Sequence, residues 1–182
     1  AQIRGYFKDR EAPDINWVRQ AERRGTGHAV QQALPDVETG DERNWVMVLY
    51  GDVPLIKVET LVNLLSLHNI TENQSTILTT DLPDPTGYGR IIRNSDHSLM
   101  KIVEEKDATE EERKVIEINS GIHVFDAITL FQLLPLVSNK NKQNEYYLPD
   151  VLNLIIQEKG KVAIDKINNY VEIQGVNNIK QL

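Results

Sequence analysis

The sequence predicts an α/β domain: a mainly parallel sheet with helices packed on it, interrupted by one β-hairpin excursion. Three observations predict it. Short apolar segments alternate with helical patterns, as in βα units. "NWVMVLY" (44–50) is apolar on both faces, as a central parallel strand would be. At 182 residues the chain has room for one substantial core and is short for two.

The elements follow in chain order. "AQIRGYFKDREAPDINWVRQ" begins in what reads as the tail of an amphipathic helix (Ile3, Tyr6, Phe7) and a Pro-Asp turn, as if a domain were entered partway. "INWVRQ" (15–20) reads as a strand, and "GTGHAVQQAL" (25–34) as a glycine turn feeding a helix. After the strand at 44–50, "KVETLVNLLSLHN" repeats Leu61, Leu64, Leu65 and Leu67 at helical spacing. "STILTTDL" (75–82) is the next strand. Two short strands, Arg90 to Arg93 and Leu99 to Glu104, flank the turn-forming "NSDH" and give the hairpin. "EINSGIHVFD" (117–126) returns to a buried strand, and "AITLFQLLPLV" (127–137) is a helix. "LPDVLNLIIQEKG" (148–160) is a further helix, stopped by Gly160. "KVAIDKI" and "NYVEI" are the last strand candidates, and "NNIKQL" opens a final helix.

Composition excludes several classes. Twenty-seven acidic against 20 basic residues give a formal charge of -7, so no wide basic face exists to neutralise a nucleic-acid backbone. Phosphorylated small molecules need only a few cations, backbone N–H groups or a metal, and they stay open. With no cysteine there is no disulfide framework and no thiolate nucleophile, which fits a reducing compartment. No apolar run has membrane-spanning length and no signal-peptide pattern is present, so the expectation is a cytoplasmic protein with neither nucleic-acid nor membrane partners.

Ligands of open α/β sheets bind beyond the carboxyl ends of strands, which draws attention to Asp52 in "VLYGDVPL". Gly51 lets the backbone turn and Pro54 ends the strand. A carboxylate there suits a hard cation such as Mg²⁺, which shares oxygen ligands with phosphates; an Asx turn or a helix cap would use the same residue. In "QAERRGTGHA", Gly25, Thr26 and Gly27 open a helix, offering N–H groups and a hydroxyl to a phosphate or a base edge, or simply capping and close packing. In "DPTGYGR", Gly87 and Gly89 allow close backbone approach and Tyr88 a flat face; a surface turn is the plainer reading. Glu104 and Asn119 have the side chains that suit sugar hydroxyls, and either also suits a turn. The four histidines, His28, His68, His97 and His123, have no metal-ligand spacing, and no zinc is expected.

Taken in order, "QAERRGTGHA", "LYGDVPL", "DPTGYGRI", "IVEEKDA", "EINSGI", "NEYYLPD" and "VEIQGVNN" resemble the pyrophosphorylase domain of the bacterial bifunctional N-acetylglucosamine-1-phosphate uridyltransferases, over essentially the whole chain. The resemblance implies a Rossmann-like nucleotidyltransferase fold. It also implies the reaction of UTP with N-acetylglucosamine 1-phosphate to give UDP-N-acetylglucosamine and pyrophosphate. Carried over position by position, Gln20, Gly25 and Thr26 fall where the family contacts uracil. Tyr50, Gly51 and Asp52 match its YGD segment, with Asp52 a Mg²⁺ ligand and Asn177 the second. Gly89, Glu104 and Asn119 fall on positions that contact the N-acetylglucosamine portion. Asp52 and Asn177 are thus the catalytic candidates.

The sequence also departs from the family. The L-x-x-G-x-G-T-R-M loop and its following Pro-Lys pair have no counterpart here, which implies an N-terminally incomplete domain over 1–182 with part of the triphosphate site lacking. Ser120 stands where threonine is expected. The C-terminal left-handed β-helix, which carries acetyl transfer and forms the family's homotrimer, has no counterpart either. A thymidylyl- or adenylyltransferase acting on glucose 1-phosphate is the alternative within the superfamily. A non-catalytic fragment is the alternative outside it.

Overall fold

The computed structural model describes residues 15–37, 44–71 and 73–176. Six strands form one sheet: β1 (Trp45–Val48), β2 (Ser75–Asp81), β3 (Arg90–Arg93), β4 (Leu99–Val103), β5 (Glu117–Asp126) and β6 (Val162–Ile167). Among the described residues four helices accompany them: α1 (Thr26–Ala33), α2 (Val58–Thr71), α3 (Ala127–Leu133) and α4 (Asp150–Gln157). The order across the sheet is β4-β3-β5-β2-β6, with β1 also paired to β5.

The α/β class and the hairpin are as the sequence predicts. The mainly parallel sheet is not: among the described residues only β2 and β6 pair in parallel, while β1, β2 and β3 all run antiparallel to β5. The cause is β5 itself, ten residues long and buried along nearly its whole length. It is buried on both faces, with Asn119, Ser120 and His123 buried beside its apolar residues, and such covering is independent of strand direction. "NWVMVLY" is a short strand, Trp45–Val48, laid antiparallel against one end of β5, its partner among the described residues.

Side-chain alternation divides the core. Ile77, Phe125, Leu130, Leu134, Leu148, Leu152 and Ile155 pack on one face, under α3 and α4. Leu64, Leu78, Ile118, Ile122, Val124 and Ile173 pack on the other, under α2. Ile77 and Leu78 are neighbours in β2 and point to opposite faces, the period of two that a pleated strand imposes. β5 passes into α3 without a loop because Asp126 Oδ1 accepts the Thr129 N–H at 2.8 Å, capping the helix at the strand's last residue.

Local corrections have physical reasons. Residues 15–20 form no strand; Ile15, Trp17 and Val18 lie exposed, and Gln20 turns inward to bond the Gly25 carbonyl. The helix at 127–137 gives way after Leu133 to a 3₁₀ turn, Leu134–Leu136, around Pro135. The helix expected to stop at Gly160 ends at Gln157, with the left-handed residue being Lys159 at φ 61°. Gly160 sits close under Ile155 and Gln74, and a Cβ there would lie 2.7 Å from Ile155 Cγ2. "NYVEI" is a 3₁₀ turn, Tyr170–Ile173. The opening helix tail and the helix begun by "NNIKQL" lie outside the described residues.

Candidate active site

Two strands share one edge of β5, and the site lies in the gap between them. β1 pairs as far as Val48 with His123, while β3 begins with Arg90 against Ile118. Opposite Leu78, β5 advances four residues, from Asn119 to His123, while β2 advances two, from Ile77 to Thr79. The surplus makes a bulge, which bends a strand and re-aims its side chains. A cavity of about 320 Å³ opens over it, with Tyr50, Asp52, Gly89, Glu104, Asn119 and Gly121 in its wall. Across Tyr50 lies a second, more apolar cavity of about 670 Å³, between α1 and β1, whose wall includes Thr26, Val30, Val48, Tyr50, Gly51 and Asp52.

Each side chain has a definite support. Asp52 follows β1 and is exposed, and its carbonyl accepts the Val176 N–H at 2.7 Å, which holds the strand end against the chain at 173–176. Tyr50 is half-buried, and its phenol is pushed up to about 12 by loss of solvation first and then by the nearby Glu104 and Asp52 charges, with a hydrogen bond to Thr26 opposing. Glu104 packs on Gly89, where a Cβ would lie 3.1 Å from its Oε1. Burial, together with the charges of Asp150, Asp107 and Glu145, pushes its carboxyl up to about 7; Arg90 opposes weakly because its guanidinium is engaged by Glu105 at 2.6 Å. Asn119 spends Oδ1 on the Gly121 N–H at 2.8 Å, so its amide N–H groups are what it can offer a ligand.

The glycine turn before α1 has a different use from the one its sequence suggests. Gly25, at φ 100°, could not carry a side chain, because a Cβ would sit 2.6 Å from the Tyr146 carbonyl. The Gly27 N–H donates to that same carbonyl at 2.8 Å, and the Leu148 N–H donates to Thr26 Oγ1 at 3.0 Å. "NEYYLPD" is thus the brace of the turn. Gln20 Nε2 donates to the Gly25 carbonyl at 3.1 Å and faces His28 Nδ1 at 3.0 Å.

Among the site residues expected from sequence, Tyr50, Asp52, Gly89, Glu104 and Asn119 share the first cavity, and Thr26, Tyr50, Gly51 and Asp52 share the second. Gln20 and Gly25 are in neither wall; they bond each other at the turn that leads into Thr26. Asn177 lies outside the described residues. Sequence reasoning missed Gly121, Ile173 and Gly175 as wall residues, although "EINSGI" and "VEIQGVNN" both drew attention to their surroundings. Ser120 is structural: its hydroxyl donates to the Leu78 carbonyl at 2.7 Å and accepts the Ile122 N–H at 3.1 Å.

The Mg²⁺ that the family resemblance implies has a donor chemistry here that fits a cation held jointly by protein and ligand. No group of three His, Asp or Glu side chains converges among the described residues, so these residues do not form a cage that would hold a cation unaided. One accessible carboxylate at the junction of two cavities suits a hard cation that completes its shell with phosphate oxygens and water. No helix among the described residues is long and apolar enough to cross a membrane.

Comparison with known proteins agrees with this arrangement. Residues 2–170 match the family described as nucleotidyl transferase. The bifunctional protein GlmU of Alkaliphilus metalliredigens is 50% identical over 168 residues, 92% of this chain and 36% of that protein. GlmU of Alkaliphilus oremlandii is 46% identical over 175 residues, covering 96% and 38%, and that of Bacillus subtilis 48% over 158 residues, covering 87% and 34%. The chain therefore spans little more than a third of the length of these curated relatives. On the family match and on these identities, the chain belongs to the nucleotidyl transferase family.

Proposed function

We propose that this chain carries the site of a Mg²⁺-dependent uridylyltransferase that joins UTP and N-acetylglucosamine 1-phosphate, giving UDP-N-acetylglucosamine and pyrophosphate. The observation that carries the reading is the position of Asp52, in the wall of two adjoining cavities of different character. The polar cavity, with Glu104, Asn119 and Gly89, is the sugar side. The apolar one, with Thr26 and the turn braced by Gln20 and Gly25, is the nucleotide side.

The phosphate oxygen of the sugar attacks the α-phosphorus of UTP in line; the bond to the β-phosphate oxygen breaks, and pyrophosphate leaves with its electron pair. Such a displacement needs alignment and charge neutralisation and no covalent enzyme intermediate. Asn119 orients the sugar by donating, and Glu104 answers the hydroxyls beside it. Tyr50 separates the two ligands, and the backbone at Gly51 leaves room for phosphate to approach the strand end. Asp52 and Asn177 are the residues that would hold Mg²⁺, which when bound neutralises charge on the phosphates. Neither cavity is lined by Lys or Arg among the described residues, and that cation would bring positive charge to their junction.

The test is pyrophosphate release from UTP and N-acetylglucosamine 1-phosphate, with and without Mg²⁺, for the protein and its Asp52→Asn variant. The expected result is Mg²⁺-dependent release that falls by about a thousandfold in the variant, as loss of a metal ligand implies. Unchanged turnover in the variant refutes the role of Asp52. A preference for thymidine or adenosine triphosphate with glucose 1-phosphate refutes the substrate assignment while leaving nucleotidyl transfer intact.

A further inference from the structure

The bulge in β5 satisfies its own polar groups. Asn119 Oδ1 accepts the Gly121 N–H, and the Ser120 hydroxyl links the Leu78 carbonyl to the Ile122 N–H. What Gly121 adds, at φ 80°, is space. A Cβ there would lie 2.3 Å from Tyr50 Cε2, 2.7 Å from Cζ and 2.8 Å from Cδ2, so the ring rests on the bare Cα. That same ring belongs to the wall of both cavities, its phenol is partnered by Thr26, and Gly51 and Asp52 follow it directly in the chain.

We propose that Gly121 is a positioning residue: its bare Cα seats the Tyr50 ring, and the seat fixes both the partition between the two cavities and the placement of Asp52. The proposal rests on the reading of the paired cavities as the site of uridylyl transfer. Carbon atoms come to rest at about 3.5 Å, so any side chain at 121 drives the ring off β5 by about 1 Å. The phenol bonds Thr26 and the backbone runs on directly into Gly51 and Asp52, so a shift of that size is passed to both. A misplacement of about 1 Å in a site that works by alignment costs about a hundredfold in rate.

The experiment is a double-mutant cycle of Gly121→Ala and Tyr50→Ala, read by thermal melting and by kcat per folded molecule with UTP, N-acetylglucosamine 1-phosphate and Mg²⁺. Gly121→Ala alone is expected to lower kcat by about tenfold to a hundredfold. In the Tyr50→Ala background the same change is expected to lower it by less than about threefold, because only the backbone cost of alanine at positive φ remains. An equal loss in both backgrounds overturns the proposal, since glycine is then needed for its backbone angle alone. Wild-type kcat per folded molecule in Gly121→Ala with a lowered melting temperature also overturns it. If Gly121→Ala does not fold, a double variant that folds supports the seat, and one that also fails overturns it. If no version turns over UTP, the functional reading fails by itself, while the melting cycle still decides whether the ring and the glycine are coupled.

Discussion

Replacing Glu104 by glutamine should change the pH dependence of stability by an amount the structure fixes. The carboxyl titrates at its ordinary 4.5 in the unfolded chain and at about 7 in the folded one. A raised folded value means that folding takes up a proton between the two. The stabilisation is therefore fully present below 4.5 and is lost as the pH rises through 7. Integrated from about pH 5 to about pH 7.5, the loss is about 2 kcal/mol. Glutamine has nearly the same shape and cannot ionise, so the variant escapes that loss. Urea denaturation of both proteins at the two pH values is the assay, and the quantity to read is the difference between variant and wild type. It should move in favour of the variant by about 2 kcal/mol toward the higher pH, whatever its absolute value. Parallel stability profiles would refute the reasoning, because they would mean that burial and the charges of Asp150, Asp107 and Glu145 do not load Glu104 with a proton in the folded state.

Three further outcomes follow from the same physics. His123 is fully buried with neither ring nitrogen partnered, and burial pushes it down to about 3, so folding excludes its proton and stability is lost as pH falls below 6.5. His123→Leu should remove a destabilisation of about 2 kcal/mol at about pH 5, a slope opposite in sign to that of Glu104 and measurable in the same denaturation series. Arg93→Ala should cost about 3 kcal/mol in melting experiments, since Arg93 grips Glu117 through Nε at 2.7 Å and Nη2 at 2.6 Å and its loss leaves a buried carboxylate without that partner. Ser120→Thr should keep both hydroxyl bonds to Leu78 and Ile122, leaving stability within about 0.5 kcal/mol of wild type and turnover unchanged in the pyrophosphate assay.

How far the sequence could be read depends on the range of the interactions involved. Helices α2 and α4, the hairpin and the strands β2, β5 and β6 are set by local periodicity and turn chemistry, and they stand where the spacing puts them. Strand direction is a long-range property. "NWVMVLY" has the same apolar character whether its partner runs with it or against it, and the partner, β5, lies some seventy positions later in the chain. The same distinction runs through the site. Asp52, Gly89, Glu104 and Asn119 were legible as candidates that share one cavity wall, because a chemically capable residue beside a strand end or a glycine is a local pattern. Gly121 was not, because its role comes from a ring 71 positions earlier in the chain resting where its Cβ would be. The bulge that brings them together cannot be seen in β5 alone, since it is defined only by the two-residue step of β2 that a four-residue step of β5 must match. A pocket formed where two strands divide one edge of a third is thus a consequence of register. Residue types say what chemistry the rim can do, and only the register says which of them meet.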